Sequence, residues 1–271
     1  MNIFVFDIET VPDAKAGQQL YQLHDLDDGQ IAQAMFALQR AKSGREFLPH
    51  YLHRIVAISI VWRHQDRLNI WSLGDESSGE AELIERFFHG LDQHSPILVS
   101  WNGSGFDLPV LHYRSLCHQI SAPRYWQTGE DDPNFRWNNY LNRYHERHTD
   151  LMDVLAGYQA RANAPLQAIA TLLGFPGKMG MDGSQVWTCF QQGDVKSIRD
   201  YCETDVLNTY LIYLRYQHMR GQLTERALQQ EFDLVTTTLA QSDQAHWQQF
   251  LELWGHHKEP VDNSLQGAAK P

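Results

Sequence analysis

The sequence contains no run of 18 apolar residues, so nothing in it reads as a membrane span. Its first residues, MNIFVFDIE, lack the basic start and apolar stretch of a secretion signal. Cysteine is scarce. Cys117, Cys189 and Cys202 are the whole set, and none sits in a CxxC pair. An odd, scattered set argues against a disulfide framework and for reduced thiols, so the cytoplasm is the expected compartment. Cys117 and Cys202 fall in helix-like apolar patterns and read as small core residues. Histidine is plentiful, but no HExxH or zinc-type spacing occurs. Positive charge is in short supply, with 22 Lys and Arg against 33 Asp and Glu and a net charge of -11. Bulk attraction therefore does not hold a polyanion here, and a polyanionic substrate would need metal ions and a local basic patch.

The 271 residues are 42% hydrophobic and 11% aromatic, enough for one large domain with a real core. No internal repeat or linker stands out. Residues 2–7 read as a strand and 28–42 as a helix closed by Gly44, with Asp28 as its cap. RIVAISIVW (54–62) is a buried central strand, and RLNIWSL (67–73) is its hairpin partner. Helical period marks 80–91, a short strand 96–101, and a helix 106–117 in which Pro109 is tolerable only near the start. Residues 119–148 form a long aperiodic region, of the kind that is functional or disordered; its aromatics argue for order. Helices follow at 149–158, at 165–173 starting on Pro165 and stopped by Gly174, at 194–216, and over 223–254. Residues 178–187 read as a Gly/Met-rich loop. The expected architecture is one α/β domain with a mixed sheet over 1–254, and 255–271 read as a disordered tail.

Four features carry chemistry. Asp7 and Glu9 in FDIET project to one side, because strand side chains alternate. Two like charges so close raise each other's pKa unless a cation lies between them. Asp107 follows a strand in WNGSGFDLP, where Asn102, Gly103 and Gly105 make a sharp turn. Tyr201 and Asp205 in YCETD are one helical turn apart and share a face, while Glu203 points elsewhere. Carboxylates converging from strand ends and a packed helix call for hard divalent cations. A pair of such ions hydrolyses phosphate esters.

FDIET, NGxGFD and YxxxD, in that order, resemble the three motifs of the DEDD 3′–5′ exonucleases. Asp200 stands where the histidine type of that family has its histidine, and Tyr201 matches the alternative, so the chain resembles the DEDDy type. HTDLMDVL and GMDGSQVW are similar to stand-alone predicted exonucleases related to the proofreading domain of family B polymerases. The resemblance covers about 1–216. It implies a ribonuclease H-like α/β fold and two Mg²⁺ or Mn²⁺ ions. Asp7, Glu9 and Asp205 would ligate one ion. Asp7 would bridge to the second, and Asp107 would serve it directly or through water. Tyr201 would orient the attacking water; a phenol with pKa near 10 makes a poor base at pH 7. The implied product is a 5′-mononucleotide released from a nucleic-acid 3′ end. Single-stranded DNA is the leading substrate. RNA 3′-end trimming, a non-catalytic nucleic-acid-binding module and a small-nucleotide phosphoesterase stay open. The chain would act alone or lend proofreading or repair activity to a partner in trans.

Substrate contacts are expected at Thr10 and Val11, at Asn102 and Phe106, and at Arg143 and Lys178. Lys178 is a phosphate candidate without a P-loop, since no GK[ST] occurs. Asp150 and Asp153 in HTDLMD either support the site or cap the next helix, and Asp182 and Ser184 lie in a loop or plain turn. Region 123–147 interleaves aromatics with Arg124, Arg136, Arg143 and Arg147, which suits a single strand; equally, the rings are core and the arginines pair with nearby acids. Arg40, Lys42, Arg45 and Arg54 either flank the cleft or end a solvated helix.

Overall fold

A computed structural model describes residues 2–256 of the chain. Among the described residues five strands are present: β1 (Asn2–Pro12), β2 (His53–His64), β3 (Arg67–Ser72), β4 (Ile97–Ser100) and β5 (His148–Asp150). They form one mixed sheet in the order β3-β2-β1-β4-β5. β1 is antiparallel to β2 and parallel to β4; β5 continues the parallel half. The helices are α1 (Ala14–Tyr21), α2 (Asp28–Ser43), α3 (Glu80–His94), α4 (Asp107–His118), α5 (Leu151–Leu155), α6 (Leu166–Leu172), α7 (Val186–Gln191), α8 (Val195–Met219), α9 (Glu225–Ala240) and α10 (Ala245–His256). A single domain with a mixed five-stranded sheet between helices is the ribonuclease H-like architecture expected from the sequence.

β1 is the sheet's axis. It was read to end at Asp7, but it runs on to Pro12, so Asp7 and Glu9 sit inside the strand. They pair with Ser59 and Ala57 of β2, and a bulge follows Glu9. Such bulges bend a strand and re-aim its side chains. Ile8 points the other way, into a core with Phe4, Phe6, Phe87 and Leu111.

The opposite core is built on α8, where Val206, Leu207, Tyr210 and Leu214 pack on Val5 and Val99 of the sheet and on Trp254 of α10. α8 is capped by Asp194, whose carboxylate accepts from the Ser197 amide. Burial of this face, at roughly 25 cal/mol per Å² of apolar area, presses the YCETD turn against β1.

Several sequence expectations change. Asp27, not Asp28, caps α2, in a reciprocal capping box with Gln30. The helix expected at 149–158 begins as β5 and becomes helical only at Leu151, because Thr149 and Asp150 pair with Val99 and Ser100. Pro165 is the cap of α6 rather than its first residue. α1 and α7 went unread, being short and interrupted by polar residues. The helical stretch over 223–254 is two helices, and α10 reaches His256, two residues beyond the expected boundary. The remainder of the expected tail, from residue 257, lies outside the described residues. Among the described residues no helix is long and apolar enough to cross a membrane.

Region 119–148 is irregular but internally packed. Tyr125, Phe135 and Tyr140 are buried, and the Tyr125 and Tyr140 rings stack at 5.7 Å. Arg147 covers Phe135 at 4.1 Å, and the Tyr140 hydroxyl donates to the Pro96 carbonyl at 2.6 Å. Trp126, Trp137 and Tyr144 remain exposed, so the aromatics divide between core and surface.

Candidate active site

β1, the start of α4 and the middle of α8 bring Asp7, Glu9, Asp107 and Asp205 to one place. Glu9 and Asp107 are 8% and 4% exposed; Asp7 and Asp205 are half-buried. Asp107 is fixed by the Ile8 amide, which donates to its Oδ1 at 3.1 Å between the two β1 acids. Cys202, one turn before Asp205, lies on Asp7: its Sγ is 3.4 Å from the Asp7 carbonyl and 3.6 Å from Oδ2. Donor atoms of Asp7, Glu9 and Cys202 fall within 4.8 Å of one another.

Electrostatics make the cluster costly without cations. Burial, then Asp107, Glu9 and Asp205, push the Asp7 pKa well above the usual carboxylate range, and the Cys202 thiol eases it slightly. Glu9 rises well above its usual range through burial, Asp205 and Asp107. Burial carries Asp107 to about 7 against the Asp107 and Ile8 amides, with Asp150 adding to the rise. Asp205 reaches about 6 through burial, opposed by the Tyr201 hydroxyl that donates to it and by Lys178. Among the described residues no ion pair reaches any of the four carboxylates. Tyr201 is itself pushed far up, first by burial and then by Asp205 and Glu9, so its hydroxyl is protonated at neutral pH.

Lys178 is exposed, and its charge acts on both Glu9 and Asp205. Its loop is pinned to α8 at Gly177: the Gly177 amide donates to Asn208 Oδ1 and its carbonyl accepts from Asn208 Nδ2, each at 3.1 Å. Gly177 has φ +63°, and a Cβ there would press on Gln167 at 2.6 Å, so this tie requires glycine.

The turn before Asp107 is braced from β5. Asp150 accepts from the Asn102 amide through Oδ1 at 2.9 Å and from the Ser104 amide through Oδ2 at 2.8 Å. It also caps α5 through the Met152 and Asp153 amides. One carboxylate thus supports the site's loop and starts a helix. Gly103 and Gly105 serve close approach: a Cβ would meet Ser100 Oγ at 2.3 Å or Asn102 Oδ1 at 2.4 Å. The left-handed residue of the turn is Asn102, with φ +64°.

The remaining sequence candidates scatter. Thr10 is half-buried, with Oγ1 2.8 Å from His53 Nδ1. Val11 is 1% exposed among Val56, Val186, Ile198 and Cys202, so its side chain is core and not cleft lining. Phe106 is half-buried against Phe47, His50 and His53. Arg143 does not stand free: Asp153 holds it at 2.8 Å and Tyr158 lies under it. Asp182 caps a short turn through Ser184. Arg40 pairs with Glu46, and Arg54 lies over Phe190. Two clefts adjoin the site. One, about 370 Å³, has Tyr201, Met179 and Met181 on its walls; the other, about 400 Å³, has Asn102, Leu108, Arg143 and Asp153.

Cys202 and His53 were not read as site neighbours. The signal for Cys202 was available, since it lies three residues before Asp205 on the same helix face. His53 lies 43 residues from Thr10 and had no local signal.

No curated protein matches the chain. A family model described as a predicted 3′–5′ exonuclease related to the exonuclease domain of PolB matches residues 45–254. The matched segment contains Asp107, Tyr201 and Asp205, and Asp7 and Glu9 precede it. With the carboxylate cluster and this match over most of its length, the chain belongs to the family of predicted 3′–5′ exonucleases related to the exonuclease domain of PolB.

Proposed function

We propose that the protein is a divalent-metal-dependent exonuclease of the DEDDy kind that shortens single-stranded DNA from its 3′ end and releases 5′-mononucleotides. The observation that carries the reading is the cluster of Asp7, Glu9, Asp107 and Asp205, which no side chain among the described residues neutralises by an ion pair, with the Tyr201 hydroxyl on Asp205. The donor set fits the ions: all four ligands are carboxylate oxygens, which suit Mg²⁺ or Mn²⁺, and burial plus mutual repulsion is relieved by dications. Asp7, Glu9, Asp107 and Asp205 would hold two of them. When bound, they supply an activated water near neutral pH and stabilise charge on the phosphodiester oxygens.

The chain's own residues do the rest. Tyr201, protonated at neutral pH, orients water as a hydrogen-bond partner and takes no part as a base. Asp150 and the Ile8 amide keep Asp107 and its loop in place before substrate arrives, which lowers the ordering cost of the reaction. Lys178 pairs with a phosphate at the mouth. Exposed Trp126, Trp137 and Tyr144 offer stacking faces for a single strand. Three unbridged cysteines suit a reducing cytoplasm.

The test is digestion of 5′-labelled DNA and RNA oligonucleotides of matched sequence with Mg²⁺ or Mn²⁺. A ladder shortening from the 3′ end of single-stranded DNA is expected. Intact DNA after prolonged incubation overturns the reading, and faster loss of RNA reassigns the substrate.

A further inference from the structure

A second group of acids and histidine lies between α8 and α10, apart from the catalytic carboxylates. Asp200 and Glu203 are three residues apart on one face of α8, and His246 faces them from α10. Glu203 is 7% exposed. Its Oε1 accepts from the Ser72 amide at 2.8 Å and the Ser72 hydroxyl at 2.7 Å. Its Oε2 lies 3.0 Å from His246 Nε2. An acceptor there fixes the ring proton on Nε2 and leaves the lone pair on Nδ1.

That Nδ1 is the anomaly. His246 is 8% exposed, and its Nδ1 is buried with no hydrogen-bond partner. It faces Asp200 Oδ1 at 3.5 Å. A lone pair and a carboxylate oxygen repel unless something positive joins them. A proton on Nδ1 would draw the pair to about 2.7–2.9 Å. Two ligands of one tetrahedral ion, each about 2.0–2.2 Å from it, lie about 3.3–3.5 Å apart. The observed separation matches the ion. A carboxylate on the far ring nitrogen is also the usual support of a metal-bound histidine.

We propose that His246 Nδ1 and Asp200 Oδ1 bind a transition-type divalent cation of the Zn²⁺ class, with Glu203 orienting the imidazole. An imidazole nitrogen in the donor set favours this class over Mg²⁺ or Ca²⁺. The adjoining cleft of about 370 Å³, which Asp194 and Gln249 also line, has room for the water ligands that complete the coordination. Lys196 pairs with the other Asp200 oxygen, Oδ2, and leaves Oδ1 to the ion. The ion fastens α10 to the turn of α8 that carries Tyr201. This site is independent of the nuclease reading.

Zn²⁺ alone is the probe, titrated into chelator-treated full-length protein. Affinity is read by competition with a chromophoric chelator and stability by the melting midpoint. Asp205→Asn serves to weaken the catalytic cluster. One Zn²⁺ is expected to bind that variant, at least tenfold more tightly than it binds Asp205→Asn/His246→Gln or Asp205→Asn/Asp200→Asn. The Zn²⁺-dependent rise in midpoint should vanish with either second substitution. If His246→Gln fails to fold, the half-buried Asp200 position decides alone. Equal Zn²⁺ affinity in all three proteins overturns the site. So does failure of the Asp205→Asn protein to bind Zn²⁺, whatever the protonation of His246.

Discussion

Two sets of buried carboxylates in this molecule are treated in opposite ways. Asp13 and Glu80 converge on Arg114. The guanidinium meets Glu80 Oε1 at 2.8 Å and also contacts Asp13, while His118 and the Ile55 amide complete Glu80. Glu231 is answered likewise by a two-point contact with Arg63, at 2.8 Å on each oxygen, and by the Tyr210 hydroxyl. Burial works against the Arg114 charge, and Glu80 and Asp13 outweigh it, so its pKa lies above the ordinary value. Among the described residues Asp7, Glu9, Asp107 and Asp205 have no such partner; Lys178 acts on Glu9 and Asp205 from a distance, and the other aids are neutral donors. Fixed cations in one place and none among the described residues in the other are what leave the second cluster able to take ions from outside.

The largest expected effect separates function from stability at that cluster. Asp7→Ala should reduce exonuclease turnover below about one thousandth, a loss of roughly 4 kcal/mol of barrier lowering. The metal-free variant should melt no lower than wild type, because a repelling buried charge has gone. Gel assays and calorimetry on the same preparation check both halves; retained turnover removes Asp7 from the site.

Arg114→Met should do the reverse. It strands Asp13 and Glu80 without their cation, and breaking a buried pair by removing one partner costs about 3–5 kcal/mol. Urea unfolding should record that loss, while any response of the Asp7, Glu9, Asp107 and Asp205 cluster to Mn²⁺ stays unchanged. A cost under about 1 kcal/mol would erase the contrast between the two clusters.

Sequence alone reached the cluster because its members sit in short local patterns: two acids at strand alternation, a Gly-rich turn before Asp107, and a tyrosine one helical turn before Asp205. It read the order of the main strands for the same reason, since RIVAISIVW and PILVSW are apolar enough to declare themselves. It misjudged β1, whose pattern DIETVP mixes charge with apolar residues; the extra length depends on pairing with β2. β5 is three residues long and exists through its ladder to β4. Arg114 and Arg143 show the same limit. Each arginine's role is decided by an acid distant in sequence or across a loop, at Glu80 and Asp153.

Acidity offers a milder probe of the comparison. In the metal-free protein Asp107 titrates near 7 and Asp205 near 6, above an unfolded carboxyl near 4. A folded pKa raised above the unfolded one makes the folded state bind more protons, so stability falls as pH rises. The stabilising contribution is complete below about pH 4 and is lost through the range up to about 7. Melting midpoints of the chelated protein should therefore decline across that window. Saturating Mn²⁺ should flatten the slope, and Asp107→Asn should remove part of it. A metal-free slope of the opposite sign would mean that the carboxylates are already neutralised.

The smallest effect concerns Lys178, the cation that acts on the open cluster among the described residues. Lys178 is exposed and acts on Glu9 and Asp205 through space, so its charge is screened by salt. Without it the carboxylates repel more strongly and attract divalent ions better. The same substitution removes a phosphate partner at the mouth. Lys178→Ala should therefore tighten Mn²⁺ binding by a factor of about 1.4–5, corresponding to the roughly 0.2–1 kcal/mol of an exposed charge interaction. It should raise KM for oligonucleotide by a comparable factor at low salt, with kcat nearly unchanged. Both changes should shrink together as ionic strength increases. A fall in kcat with unaltered metal affinity would place Lys178 on the reacting phosphate, and the neutralising role that distinguishes it from Arg114 would be lost.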